Sequence, residues 1–152
     1  MLNEFEIIQS LKNSFPEYIG DDAAVIEAFN NQNYVITKDL LIEDIHFRTS
    51  YFTPSDLSFK ALNVNLSDIA AMGASPEFVM LGISIPDKYE EYAKEFLNSF
   101  ANHCKDIKVV LIGGDTTKSR DKLFISITAI GTSKPSHIKY RSNAKDKDII
   151  CV

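Results

Sequence analysis

The chain has 152 residues, 45% of them hydrophobic, with a formal net charge of −5 and a pI near 5.2. That length and apolar content fit one domain with a continuous core. No long basic run is present to replace the counterions around phosphates, which argues against broad nucleic-acid binding, and no stretch approaches the ~20 apolar residues of a membrane span.

Between Glu4 and Asn13, Phe5, Ile8 and Leu11 recur at helical spacing, and Phe15-Pro16 ends that helix. After a turn at Gly20, Ala23–Ile26 and Tyr34–Thr37 read as two hairpin strands joined through Asn30–Asn33. Asp22 then precedes the first strand and Asp39 follows the second. Thr53-Pro54-Ser55-Asp56 starts a helix, because Thr53 can cap free amides, Pro54 needs no donor at the first position, and Asp56 suits the positive helix end. The helix is predicted to run to about Gly73. Phe59, Leu62, Leu66 and Ile69 form its main apolar stripe, and Leu57, Ala61, Val64 and Met72 a second one. A helix apolar on two sides is expected to be covered on both, which puts Asp68, on the second stripe, where water is restricted.

Phe78–Ile85 reads as a buried strand, and Asp87–Cys104 as an amphipathic helix with Tyr89, Tyr92, Phe96, Phe100 and Cys104 inward. Ile107–Ile112 reads as a further buried strand that breaks at Gly113-Gly114. Leu123 to Ile130 alternates between two faces. Ser133 to Asp148 is polar and reads as a link to a further domain. Asp148–Val152 begins a strand where the chain stops, so a longer protein is expected. There is no internal repeat. Cys104 and Cys151 lack metal-ligand spacing and are expected to be reduced; with no basic-then-apolar leader at Met1-Leu2-Asn3-Glu4-Phe5, the expected location is the cytoplasm.

Four acidic segments carry the chemistry: Gly20-Asp21-Asp22, Thr37-Lys38-Asp39, Asn65-Leu66-Ser67-Asp68 and Gly113-Gly114-Asp115-Thr116-Thr117. Any one of them alone reads as a turn residue or helix cap. Taken together, Asp22, Asp39, Asp68 and Asp115 suggest one site. Two like charges ~4 Å apart repel by about 4 kcal/mol at an effective dielectric near 20, so converging carboxylates need protons or cations. The available ligands are hard oxygens, Thr37 and Thr116 among them, with no Cys or His cluster, which favours Mg²⁺ over Zn²⁺ and points to a phosphate partner. Gly113-Gly114 could let backbone amides approach phosphate oxygens while Asp115 holds the metal. No G-x-x-x-x-G-K-[ST] motif is present, and no EF-hand loop. Arg141, in the polar segment with Lys139 and Lys145, could pair with a nucleotide phosphate or be a solvated charge. His46, between Ile45 and Phe47, reads as a structural histidine or as one that orients a phosphate ester.

The whole pattern resembles the thiamine-monophosphate kinases. The residues that carry the resemblance are Ile19-Gly20-Asp21-Asp22-Ala23-Ala24, Thr37-Lys38-Asp39 with His46-Phe47, the run from Lys60 to Ala74 ending in Ala71-Met72-Gly73-Ala74, and Gly113-Gly114-Asp115-Thr116-Thr117. The long helix motif occurs broadly in the aminoimidazole ribonucleotide synthetase-like superfamily; its combination with the other segments is specific to the kinases. The resemblance implies ATP-dependent phosphorylation of thiamine monophosphate to thiamine diphosphate. It implies Mg²⁺ ligands at Asp22, Thr37, Asp39, Asp68 and Asp115, ATP contacts at Gly114, Asp115 and Arg141, and a substrate contact at His46. The fold it implies is an α/β N-terminal domain, a mixed sheet with helices on one face, paired with its twin in a barrel-like homodimer core. Residues 1–152 would be this ATP- and Mg-binding dimerisation domain, without the family's C-terminal domain and inactive alone. The family commonly has Thr or Ser where Lys38 stands. Alternatives are a related selenophosphate synthetase, disfavoured because neither cysteine precedes Asp22, a hydrogenase-maturation protein, or a non-catalytic metal-binding dimerisation module.

Overall fold

A computed structural model of the chain describes residues 4–149. Its elements are α1 (Glu4–Ser14), β1 (Ala24–Glu27), β2 (Asn33–Ile42), α2 (Pro54–Ala71), β3 (Ser75–Ile85), α3 (Glu90–Asp106), β4 (Val110–Lys118) and β5 (Phe124–Ser133), with single 3₁₀ turns at Asp87–Tyr89, Pro135–His137 and Arg141–Asn143. The five strands form one mixed sheet in the order β1-β2-β5-β3-β4. Among the described strands only β3 and β4 run parallel, joined by α3 as the crossover, since parallel neighbours cannot be linked by a tight hairpin.

β5 shows why α2 and α3 cover one face of the sheet. Ile125, Ile127 and Ala129 are fully buried, as is Leu123 just before the strand, whereas the alternating Phe124 is exposed. Val35, Leu41, Val79, Leu81 and Ile83 complete that inward face and meet Leu57, Ala61, Leu62 and Ile69 of α2 and Phe96, Phe100 and Cys104 of α3. Each of the larger side chains contributes about 1.5–3 kcal/mol on leaving water. The opposite face carries Tyr34, Leu40, Met80 and Phe124 exposed.

α2 starts as its sequence dictates. Thr53 Oγ1 accepts from Asp56 N at 3.1 Å and Asp56 Oδ2 accepts from Thr53 N at 3.2 Å, a reciprocal cap with Pro54 at the first helical position. The helix stops where Gly73 takes φ 71°. It packs against both the sheet and α3, but its buried strip runs through Leu57, Ala61, Leu62, Asn65 and Ile69, and Phe59 is 59% exposed. Both covering layers lie to one side, so the expected main stripe loses its first member to solvent.

Four further expectations need correction. Asp39 lies inside β2, which continues to Ile42, because β5 pairs with it along its whole length. The strand expected at Ile107–Ile112 begins only at Val110 and runs through Gly113-Gly114 to Lys118. It is exposed throughout because it pairs with β3 alone, on the sheet's outer edge. The glycines sit just past a bulge, and a Cβ on Gly114 would overlap the Leu81 carbonyl, whereas one on Gly113 would meet open space. Ser133–Asp148 is not a free link: Ile138 is buried and Lys139 N–H donates to Met72 O at 3.1 Å. Of the strand expected at Asp148–Val152, residues 148–149 are not in a strand and the rest, with Cys151, lies outside the described residues. Cys104 is free and buried. Among the described residues no helix is long and apolar enough to cross a membrane.

Candidate functional site

β1 pairs with β2 only from Asn33 to Ile36, so at Thr37–Asp39 the outer edge of β2 has no strand beside it. α2 supplies the missing partners. The Asp39 N–H donates to Asn65 Oδ1 at 3.1 Å, and Asn65 Nδ2 donates to Ala61 O at 3.1 Å. Asn65 is fully buried, which suits an amide with both ends satisfied. One turn further on, Asp68 Oδ2 accepts from the Thr37 hydroxyl at 2.8 Å. These bonds bring Asp39 and Asp68 to the same space.

The turn after Ile19 closes that space. Asp21, Asp22, Thr37, Lys38, Asp39, Asp68 and Arg141 line one cavity of about 690 Å³, with Phe5 and Ile8 of α1 on its apolar wall. Arg141 makes a bidentate ion pair with Asp22, Nε to Oδ2 at 3.3 Å and a terminal nitrogen to Oδ1. Its backbone N–H donates to Asp21 Oδ1 at 2.8 Å.

Two acids of the cavity are tuned in opposite directions. The hydrogen bond from Arg141 holds the Asp22 carboxyl below the usual range, outweighing partial burial. Burial pushes Asp39 up, the neighbouring Asp68 carboxylate adds to this, and His46 partly offsets it. An acid that is half-buried and repelled by a second acid is a place where a cation lowers the energy of the ionised form. Asp22, Thr37, Asp39 and Asp68 offer hard oxygens only, the donor set that suits Mg²⁺. Among the described residues, no three His, Cys, Asp or Glu side chains are grouped closely enough to hold one ion. Lys38 lines the cavity too, but its ammonium donates to Ser126 Oγ at 2.6 Å and Thr128 Oγ1 at 3.4 Å across the neighbouring strand.

Asp115 is not with the other three. Asp39, Ile127, Leu81 and Gly114 form one row across β2, β5, β3 and β4, which at about 4.8 Å per strand sets Gly114 roughly 14 Å from Asp39. Gly114 and Asp115 line a second cavity of about 550 Å³ between β4 and Leu97 of α3.

His46 faces a third space of about 430 Å³ that shares Asp39 with the first and has Lys60 and Val64 on its helical side. The Ile42 N–H donates to His46 Nδ1 at 3.0 Å, so the neutral ring carries its proton on Nε2. Lys60 Nζ donates to the His46 carbonyl at 2.6 Å. The loop's anchor is Glu43, 5% exposed: its Oε1 accepts from Tyr89 and Thr49, and its Oε2 from Leu123 N at 3.0 Å.

Sequence reasoning gave no role to Asn65, Asp21 or Glu43. Asn65 left a signal: it continues the Leu57, Ala61 series at four-residue spacing, so it is a polar residue on a buried stripe. Asp21 and Glu43 left none: the Asp21 partner lies 120 residues away, and two of the three Glu43 partners lie 46 and 80 residues away.

Curated relatives are named as thiamine-monophosphate kinases. That of Bacillus subtilis (strain 168) is 37% identical over 158 aligned positions, covering 99% of this chain and 49% of the relative. That of Escherichia coli (strain K12) is 36% identical over 148, covering 97% and 45%. The chain thus spans about half the length of the curated relatives it matches. Among solved structures, AaThiL complexed with AMPPCP and TMP superposes with a TM-score of 0.85 at 29% identity, covering 95% of this chain and 46% of that one. The hydrogenase maturation protein HypE in complex with ATP superposes with a TM-score of 0.64 at 21% identity, covering 82% and 37%, a likeness of fold alone. The family model for the N-terminal domain of AIR synthase related proteins matches residues 20–133, and with the mixed sheet above, the chain belongs to that family.

Proposed function

We propose that this chain is the ATP- and magnesium-handling half of a cytoplasmic thiamine-monophosphate kinase, which transfers the γ-phosphoryl group of ATP to thiamine monophosphate and yields thiamine diphosphate. The observation that carries the reading is the single cavity lined by Asp22, Asp39, Asp68 and Arg141. The shared name of the relatives and the nucleotide analogue and TMP bound to AaThiL support it.

Phosphoryl transfer requires little covalent participation by the protein, and the work is alignment and charge neutralisation. When bound, Mg²⁺ would supply neutralisation of the crowded phosphate oxygens. Asp22, Asp39 and Asp68 would hold it, with Thr37 assisting: its hydroxyl hydrogen is committed to Asp68, which leaves its lone pairs as acceptors. Arg141 presents a planar fork matched to phosphate oxygens. His46, with its proton on Nε2, offers the substrate a donor, and Lys60 holds the loop that carries it.

Gly114 and Asp115 belong to the same reaction through a second copy of the chain. The homodimer we propose pairs the two helix-free sheet faces and sets the β4 cavity of one copy against the acidic cavity of its twin, completing a nucleotide site that neither copy holds alone.

The test is incubation of the full-length protein with ATP, Mg²⁺ and thiamine monophosphate, with mass detection of thiamine diphosphate and the 152-residue chain alongside. Product from the full-length protein supports the kinase. No product from either overturns it.

A further inference from the structure

Arg141 is held at the cavity from two sides. Asp22 takes its guanidinium and Asp21 takes its backbone N–H, so two consecutive carboxylates grip one 3₁₀ turn from the far end of the sequence. The Asp22 side chain is 28% exposed and that of Arg141 64%, so the pair sits at the rim of the cavity where both members can turn. Lys38 already spends its ammonium on Ser126 and Thr128. Lys12 also lines the cavity, and the ion pair formed there by Asp22 is with Arg141. Asp39 and Asp68 line the same cavity.

We propose that Arg141 is a built-in counter-ion in competition with the divalent metal for Asp22. The inference rests on the magnesium site proposed for this cavity. The Asp22 carboxylate is committed to the guanidinium, and among the described residues no three acids are grouped closely enough to hold one ion. When Asp22 turns inward to join Asp39 and Asp68 on a divalent ion, Arg141 loses its partner and becomes free for phosphate oxygens. An anion that takes Arg141 likewise frees Asp22 for the metal. The exchange couples the two binding events, and by linkage the coupling is reciprocal. No covalent bond is made or broken, only ion pairs and hydrogen bonds.

This has a consequence opposite to that of deleting an ordinary site residue: removing the guanidinium raises the affinity for the metal alone. The test is titration of the 152-residue chain with Mn²⁺ in the absence of nucleotide, following free Mn²⁺ by electron paramagnetic resonance, for the wild type, Arg141→Gln and Arg141→Lys. Arg141→Gln is expected to bind Mn²⁺ about fivefold more tightly than the wild type, with Arg141→Lys between them. A second readout uses the wild type alone: the Nε–H resonance of Arg141 in ¹⁵N-resolved spectra should lose its ion-paired position on addition of Mg²⁺. Equal or weaker Mn²⁺ binding by Arg141→Gln, or an Nε–H signal unmoved by saturating Mg²⁺, overturns the counter-ion while leaving the metal site intact. Absence of Mn²⁺ binding in all three proteins overturns the metal reading itself, and the exchange with it.

Discussion

Thr37 of β2 and Asp68 of α2, 31 residues apart in sequence, share a 2.8 Å hydrogen bond in which the threonine hydroxyl donates. The bond turns two separate motifs into one wall of the cavity. Thr37 is 7% exposed, so water cannot easily replace what is lost there. Thr37→Val, nearly the same in shape, is expected to cost about 1 kcal/mol in urea unfolding, and Thr37→Ser only a few tenths. The valine variant should also bind Mn²⁺ more weakly than the serine variant.

Asp39 and Asp22 make opposite contributions to stability as pH changes. Burial, then Asp68, raises the Asp39 pKa, so the folded state holds that proton more tightly than the unfolded chain does. Stability from this group is therefore present at low pH and declines as pH rises from 3.8 through the raised value. Asp39→Asn should raise the Tm at pH 7 by about 1–3 °C and leave it unchanged below the ordinary carboxylate range. Asp22, lowered by its hydrogen bond from Arg141, stabilises above 3.8 and loses that contribution as pH falls through its lowered value. Asp22→Asn should lower the Tm at pH 7. Thermal melts across the acid range check both signs.

Asn65 substitutes for a strand. Its amide oxygen satisfies the Asp39 N–H at a place where β1 has already ended. Asn65→Leu keeps the volume and apolar surroundings but leaves that N–H without an acceptor, at a cost of about 1–3 kcal/mol. Chemical denaturation measures the loss. Hydrogen exchange at the Asp39 amide should speed up in the variant by more than global destabilisation explains.

Glu43 joins three segments through one buried carboxylate. Glu43→Ala strands the Leu123 N–H and leaves the Thr49 and Tyr89 hydroxyls only each other, and should destabilise by about 3 kcal/mol. Tyr89→Phe removes a single donor and should cost about 1 kcal/mol. In the full-length enzyme Tyr89→Phe is expected to raise KM for thiamine monophosphate more than KM for ATP, because the loop it holds carries His46.

Asp39 and Asp115 lie three strands apart within one chain, and the proposed dimer brings them together between chains. Asp115→Asn in the full-length enzyme should weaken Mg-ATP binding and depress turnover. Mixing inactive Asp39→Asn and Asp115→Asn proteins under conditions that exchange subunits should restore about a quarter of wild-type activity, since half the dimers then carry one intact site. Two same-chain sites would give no recovery.

What the sequence discloses here is mostly local. The start of α2 is legible because Thr53, Pro54 and Asp56 act on their own backbone, and β5 is legible because each Leu or Ile that points inward is separated by one residue from the next. The edge position of β4 is not legible, because Val110-Leu111-Ile112 reads the same in the middle of a sheet as at its margin. The separation of Asp115 from Asp39 is hidden for a related reason: it depends on β5 entering between β2 and β3. The Asp22 to Arg141 pair spans 119 positions, and neither residue's neighbours announce the other.

The strand order has a consequence for how the chain is made. β5 comes last of the strands in sequence but lies third in the sheet. During synthesis β3, α3 and β4 can assemble as a local unit, whereas the β2 ladder waits for partners such as Ser133 opposite Asn33 and Phe124 opposite Ile42. Until the whole of β5, Phe124 to Ser133, has left the ribosome, β2 and β3 each show an open edge flanked by Val35, Leu41, Val79 and Ile83, the kind of surface that recruits other unfinished chains. Translation pauses upstream of Phe124 would thus prolong the interval in which nascent chains depend on chaperones, and a premature stop there would leave a sheet split in two.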